Sequence, residues 1–173
     1  MSGLPASAGS FRVVGRKLVS ADMDLAFRHA RGPELPALVR MLVDDALGKL
    51  REDLSDPIDP CYLRAFAEIE KDPNNELIVA ENGEQLVGML QITFIPYLTY
   101  RGAWRCLIEG VRIHADFRGQ GLGGRLLEYA IGRARERECA IVQLTSDKNR
   151  KDALRFYHQL GFTDSHEGFK LRL

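Results

Sequence analysis

The chain has 173 residues, 45% of them apolar and 28% charged, which suits one globular domain with a real core, with or without a tail. Its 24 Lys and Arg match its 24 Asp and Glu, so it lacks the basic footprint of a general nucleic-acid binder, although a local basic groove for phosphates stays open. Cys61, Cys106 and Cys139 are scattered and odd in number, giving neither a disulfide framework nor a zinc signature; with no signal-peptide pattern and no run of membrane-spanning length, the expectation is a cytoplasmic protein without membrane association or metal.

Residues Met1 to Ser10 are mostly Ser, Gly, Ala and Pro and read as part of a flexible leader over 1–20, followed by a single domain over 21–173. Phe11 to Val19 is a weak strand candidate and Leu25 to His29 a better one. Leu35, Leu38, Val39, Leu42, Val43 and Ala46 recur at helical spacing, predicting a helix from Pro33 to Leu47 with Gly48 as its cap. The polar stretch Arg51 to Asp59 is a loop. Asp59-Pro60 then reads as an N-cap and first helical residue, opening a helix to Lys71. Asn82-Gly83 between the apolar runs 76–81 and 85–95 signals a hairpin. A strand from Trp104 to Ile113 leads into a glycine-rich turn and a helix from Leu122 to Glu138, with Leu122, Leu126, Ala130 and Ala134 on one face. Ala140 to Thr145 is a short buried strand. Asp152 to Leu160 is a helix ended by Gly161, and the tail Phe162 to Leu173 reads as two short strands around Gly168. This order predicts an α/β domain with a mixed sheet.

Four of the six residues from Gly119 to Gly124 are glycine. A strand, such a turn and a helix make an anion site, because glycine lets the backbone approach and the unpaired N–H groups at the helix start point outward. Arg118 and Arg125 oppose the helix dipole unless an anion sits between. Gly119, Gly121 and Gly124 also fit the dinucleotide fingerprint, with Asp147 about where a ribose-binding acid would lie. Against that, the charged linker His114 to Arg118 separates strand from glycines, and the further βαβ units of that fold are missing. No Lys-Ser or Lys-Thr pair follows the glycines, which excludes a Walker A loop.

These residues resemble the GNAT superfamily of acyl-CoA-dependent N-acetyltransferases. The core motif, Arg or Gln, two residues, Gly, one residue, then Gly or Ala, is carried by Arg118, Gly121 and Gly123. The likeness includes the strand Ile108 to Ile113 and continues through Asn149, Ala153, Phe156-Tyr157 and Leu160-Gly161-Phe162. The resemblance implies a mostly antiparallel central sheet of about 6–7 strands flanked by about four helices, and acetyl-CoA as co-substrate. It implies that the strands at 107–113 and 140–145 splay around the pantetheine arm, met by backbone groups of Val111 and Ile113. Arg118, Gly119, Gln120, Gly121, Gly123 and Gly124 would form the pyrophosphate loop, Asn149 would bond the arm, and Tyr157 would sit near the sulfur. Phe156 is counted among the cofactor positions, although it also suits a core role.

The chemistry needs a deprotonated amine, since alkylamines have a pKa near ~10. It needs a donor for the oxyanion, here the Val111 N–H, and a proton for the thiolate, here from Tyr157. Glu109 is the first candidate base, an acid inside an apolar strand where burial would raise its pKa; the competing reading is an ion pair with Arg105 or Arg112. His114 is a second candidate. The acceptor, expected to be a small-molecule amine, would enter between the first two helices and the loop Pro96 to Arg101. Asp45, Glu52, Asp53 and Asp56 either draw in a cationic amine or form a solvated acidic loop, and Tyr97, Tyr100 and Trp104 either wall the pocket or cover the sheet edge. Alternatives are a non-catalytic CoA-binding sensor and a protein lysine or N-terminal acetyltransferase. A homodimer is frequent in the family.

Overall fold

A computed structural model describes residues 23–44, 48–171 and 173. The strand candidate Phe11 to Val19, the leader, and Asp45 lie outside these. Five strands form one sheet in chain order: β1 (Leu25–His29), β2 (Asn75–Asn82), β3 (Gln85–Pro96), β4 (Trp104–Ile113) and β5 (Cys139–Leu144). The first four pair antiparallel, and β4 and β5 pair parallel. The connection between β4 and β5 is a helix, as a parallel pair requires.

Among the described residues five helices accompany the sheet: α1 (Leu35–Val43), α2 (Pro60–Lys71), α3 (Thr99–Gly102), α4 (Leu122–Glu136) and α5 (Lys151–Gln159). The extra one, α3, is a single irregular turn with Tyr100 and Arg101 at φ 52° and 61°. The Asp59 carboxylate caps α2 by accepting from the Cys61 N–H at 2.7 Å, as the Asp-Pro signal predicts. Gly48 opens a 3-10 turn, Gly48–Leu50, rather than capping α1.

Sheet alternation sorts the core into two layers. Ile78, Leu90, Ile92, Phe94, Cys106 and Ile108 face α4, which buries Leu122, Leu126, Leu127, Ala130 and Ala134 against them. Each fully buried Leu there contributes roughly 1.5–3 kcal/mol. The opposite face presents Leu77, Val79 and Met89 to Leu35, Leu38 and Met41 of α1 and Phe66 of α2. The one buried charged residue among those described, Glu76, lies on the α4 side and accepts from Arg133 Nη2 at 2.6 Å and Nε at 3.1 Å.

Among the described residues the sheet has five strands, not six or seven. The described residues of the tail after Gly161 form no strand. Its apolar alternation is confined to the last few residues, and Phe169 and Leu171 are 92% and 88% exposed. A tail that buries neither side chain has nothing to offset the entropy of ordering it against β5. The hairpin turn is also displaced by one residue: Asn82 pairs with Gln85, so Gly83 and Glu84 form the loop, with Gly83 at φ 60°.

Candidate functional site

The register of β3 on β4 contains one extra residue. Met89 pairs with Arg112 but Gln91 pairs with Glu109, so three steps of β4 oppose two of β3. Gly110 sits at φ 61° in this bulge, a conformation that favours glycine. Simple alternation from Ile108 would turn Gly110 and Arg112 toward α4. The bulge shifts the phase instead, and Ile108, Val111 and Ile113 all join the α4-side core.

Beyond this point β4 loses its second neighbour. Pairing with β5 runs from Trp104↔Cys139 to Ile108↔Leu144 and stops, while β4 continues to Ile113 alongside β3. The stretch Glu109 to Ile113 therefore borders a gap. The Val111 carbonyl accepts from Arg112 Nη1 at 2.9 Å and the Ile113 carbonyl from Arg118 Nε at 3.0 Å. Both oxygens keep a second lone pair.

The gap ends at the glycine turn. Gly119 and Gly121 have φ 74° and 80°, and a Cβ at either would meet nothing within 4 Å; backbone angle, not crowding, favours glycine here. The first amides to close on the helix are those of Gly124 and Arg125, both bonded to the Gly121 carbonyl. The N–H groups from Gly119 to Gly123 have no acceptor among the described residues. That is a row of donors at the positive end of a 15-residue helix, as an anion site requires. Gly123 brings α4 close to α5, since a Cβ there would stand 3.3 Å from Phe156 Cζ. Phe156 thus packs the junction beneath the turn.

The long side chains of the turn face protein. Arg118 donates through Nη2 to the carbonyl and the carboxylate of Asp44, both at 2.8 Å, and Gln120 donates to the Asp116 carbonyl at 2.9 Å. Arg125 donates to the Met23 carbonyl at 2.6 Å. Arg118 thus lashes the loop to the end of β4 and to α1. The main-chain N–H groups from Gly119 to Gly123 remain open to an anion.

Tyr157, on α5, is half-buried between Phe156 and Phe162, with ring centroids 5.3 and 6.1 Å away. Burial pushes its phenol above the usual tyrosine range, and nearby Arg150 and Arg112 offset this only in part. Glu109 stands on β4 at the mouth of the gap but is exposed, so the burial argument for it does not hold. Its phase explains this: Arg105, Leu107 and Glu109 alternate with the buried Cys106 and Ile108. No ion pair joins Glu109 to Arg105 among the described residues. His114 serves as a cap, its Nδ1 accepting from the Asp116 N–H at 3.4 Å. Asn149 is exposed just past β5, its N–H held by the Asp147 carboxylate at 2.9 Å. Asp147 therefore shapes a turn.

The acceptor-side expectations divide. The Tyr62 hydroxyl accepts from the Asp53 N–H at 2.9 Å and donates to Glu52 at 3.1 Å, so these acids are tied into their own loop. Asp56 lines a small crevice with Val39 and Ile58. Tyr97 lies against Arg105, 5.0 Å from guanidinium carbon to ring centroid, whereas Tyr100 is 73% exposed. Trp104 is at the closed end of the β4–β5 pair, about 13 Å of strand from Ile108. A cavity of about 540 Å³, lined by Ala37, Arg40, Asp44, Leu86 and His114, opens between α1 and the start of β3 rather than between β4 and β5. Among the described residues no group of three or more His, Cys, Asp or Glu could hold a metal ion, and no helix is long and apolar enough to cross a membrane.

The bulge was not foreseen, although an isolated glycine inside the strand Ile108 to Ile113 is its signal. The sequence offers Arg105 only as an ion-pair partner of Glu109.

The family model described as the acetyltransferase (GNAT) family matches residues 38–162, spanning the bulged strand, the glycine turn and α5. The chain belongs to the GNAT acetyltransferase family. Aminoalkylphosphonate N-acetyltransferase from Salmonella typhimurium is 28% identical over 127 residues, 73% of this chain and 82% of the relative. Among solved structures, one described as a transcriptional regulator from Bacillus halodurans C-125 is 58% identical with a TM-score of 0.84, covering 86% of this chain and 99% of that one. An acetyltransferase from Trypanosoma brucei is 25% identical with a TM-score of 0.69, covering 87% and 100%. The splayed strands and uncapped glycine turn of this GNAT chain lie inside the matched region.

Proposed function

We propose that the protein is an N-acetyltransferase that moves an acetyl group from acetyl-CoA directly to the primary amine of a small molecule. The observation that carries this reading is the open edge of β4 beyond Ile108↔Leu144, leading into the unclaimed amides of Gly119 to Gly123. An extended thioester laid along that edge puts its pyrophosphate on the amides and its carbonyl at the Gly110 bulge. Val111 and Ile113 supply backbone groups to the arm, and Asn149 supplies an amide from the β5 side. Arg118 and Gln120 keep the loop in shape, while Gly119, Gly121, Gly123 and Gly124 keep the backbone accessible; Phe156 supports it from α5.

The amine nitrogen attacks the thioester carbon, and the Val111 N–H donates to the developing oxyanion. As the C–S bond breaks, Tyr157 gives its proton to the departing sulfur. A phenol holds that proton at neutral pH, and burial shifts its pKa further upward. Glu109, being exposed, receives the amine proton through water rather than as a buried base. The aminoalkylphosphonate relative supports a small acceptor.

The test is release of CoA thiol on adding a panel of small primary amines to protein and acetyl-CoA. Amine-dependent release is expected. Tight acetyl-CoA binding with no release for any amine would favour a non-catalytic CoA-binding sensor, a reading that the regulator description of the Bacillus halodurans relative keeps in view.

A further inference from the structure

On the face of β4 opposite α4, a cation and a carboxylate stand in line with the gap. We propose that Arg105 reads an anionic group on the acceptor, so that the preferred substrates are short zwitterionic amines. This rests on the transferase reading above and narrows its substrate class.

Arg105, Leu107 and Glu109 share that face, because their neighbours Cys106 and Ile108 are buried against α4. The Arg105 guanidinium leans along the strand: its Nη1 reaches Gln143 Oε1 at 3.4 Å, and Gln143 is the β5 partner of Leu107. Leu107 and Gln143 stand one side-chain repeat from Arg105 toward the gap. One strand repeat further, about 7 Å along the sheet, comes Glu109, where β4 and β5 part. Tyr97 backs the guanidinium as a cation–π partner.

The guanidinium is under-used. It carries five N–H donors, yet among the described residues it meets a single acceptor, at the long end of hydrogen-bond range. Its buried Nε meets none, and buried donors are rarely left so. The neighbouring polar groups do not compete for it: Gln91 Nε2 and Thr93 Oγ1 both donate to Asn75 Oδ1, at 3.2 and 2.7 Å. A carboxylate or phosphonate suits the guanidinium fork, which accepts two-point binding by such anions. With the anion on Arg105, a spacer of about two or three carbons carries the amine toward Glu109 and the bulge.

The experiment compares chain-matched acceptors on the full-length protein: a neutral alkylamine, an aminoalkyl carboxylate and an aminoalkyl phosphonate. Wild type should prefer one or both anionic amines over the neutral one by tenfold or more in kcat/KM, and the better of the two identifies the anion. Arg105→Gln should raise KM for the anionic amines at least tenfold, while leaving the neutral amine and the KM for acetyl-CoA within twofold. Arg105→Lys should recover part of the loss. A wild type that turns over neutral amines equally well overturns the inference but not the transferase reading. So does an Arg105→Gln variant that slows all acceptors alike. Turnover of no amine at all would overturn both.

Discussion

A tyrosine phenol is already protonated at neutral pH, and burial of Tyr157 beside Phe156 and Phe162 raises its pKa further; an acid for the departing thiolate must hold its proton until the C–S bond breaks. Replacing it with Phe removes the hydroxyl and little else. Tyr157→Phe should lower kcat by about 10²–10⁴ while the acetyl-CoA dissociation constant changes less than threefold; steady-state kinetics and calorimetry check both. The role proposed for Tyr157 rests on its place in the family motif. Glu109 was legible as a residue but not in its surroundings, because an acid flanked by apolar neighbours in a strand looks buried until the alternation is fixed. The side-chain partners of Arg118 were not legible either, since Asp44 is 74 residues away in sequence.

At the scale of elements, the bulge in β4 does the most. It turns Val111 and Ile113 into the core and leaves the strand edge free beyond Ile108. A Cβ at Gly110 would meet nothing within 4 Å, so its cost is conformational. Gly110→Ala should destabilise the fold by about 1–2 kcal/mol, read from urea unfolding. It should also cut turnover at least tenfold, because relieving the left-handed residue pulls the strand back into phase. Helix and strand periods placed almost every element within one or two residues, since α4 and the β2–β3 hairpin carry strong apolar patterns. The tail strands were misread because alternation at Phe169 and Leu171 marks a strand only where a partner buries it.

At the scale of the whole molecule, two devices on the α4 side couple helix and sheet. The first is the ion pair between buried Glu76 and Arg133, which Glu136 also joins. Arg133→Met strands a carboxylate that is 6% exposed. The expected loss is roughly 3 kcal/mol, a melting temperature lower by about 6–12 °C, measured by calorimetry. The second is the fully buried Cys106, whose thiol burial pushes from its ordinary 9.0 up to about 12. A folded-state pKa above the unfolded one gives stability that is complete below pH 9 and is lost as pH rises toward 12. Melting temperature should therefore fall more steeply above pH 9 in wild type than in Cys106→Ala.

The central claim, acetyl transfer from acetyl-CoA to a small amine, is tested most directly by CoA thiol release in wild type and Tyr157→Phe side by side. Amine-dependent release that collapses in the variant, with acetyl-CoA affinity retained, is the predicted result. Equal release by both proteins, or binding of acetyl-CoA with no amine-dependent release from wild type, would contradict the account.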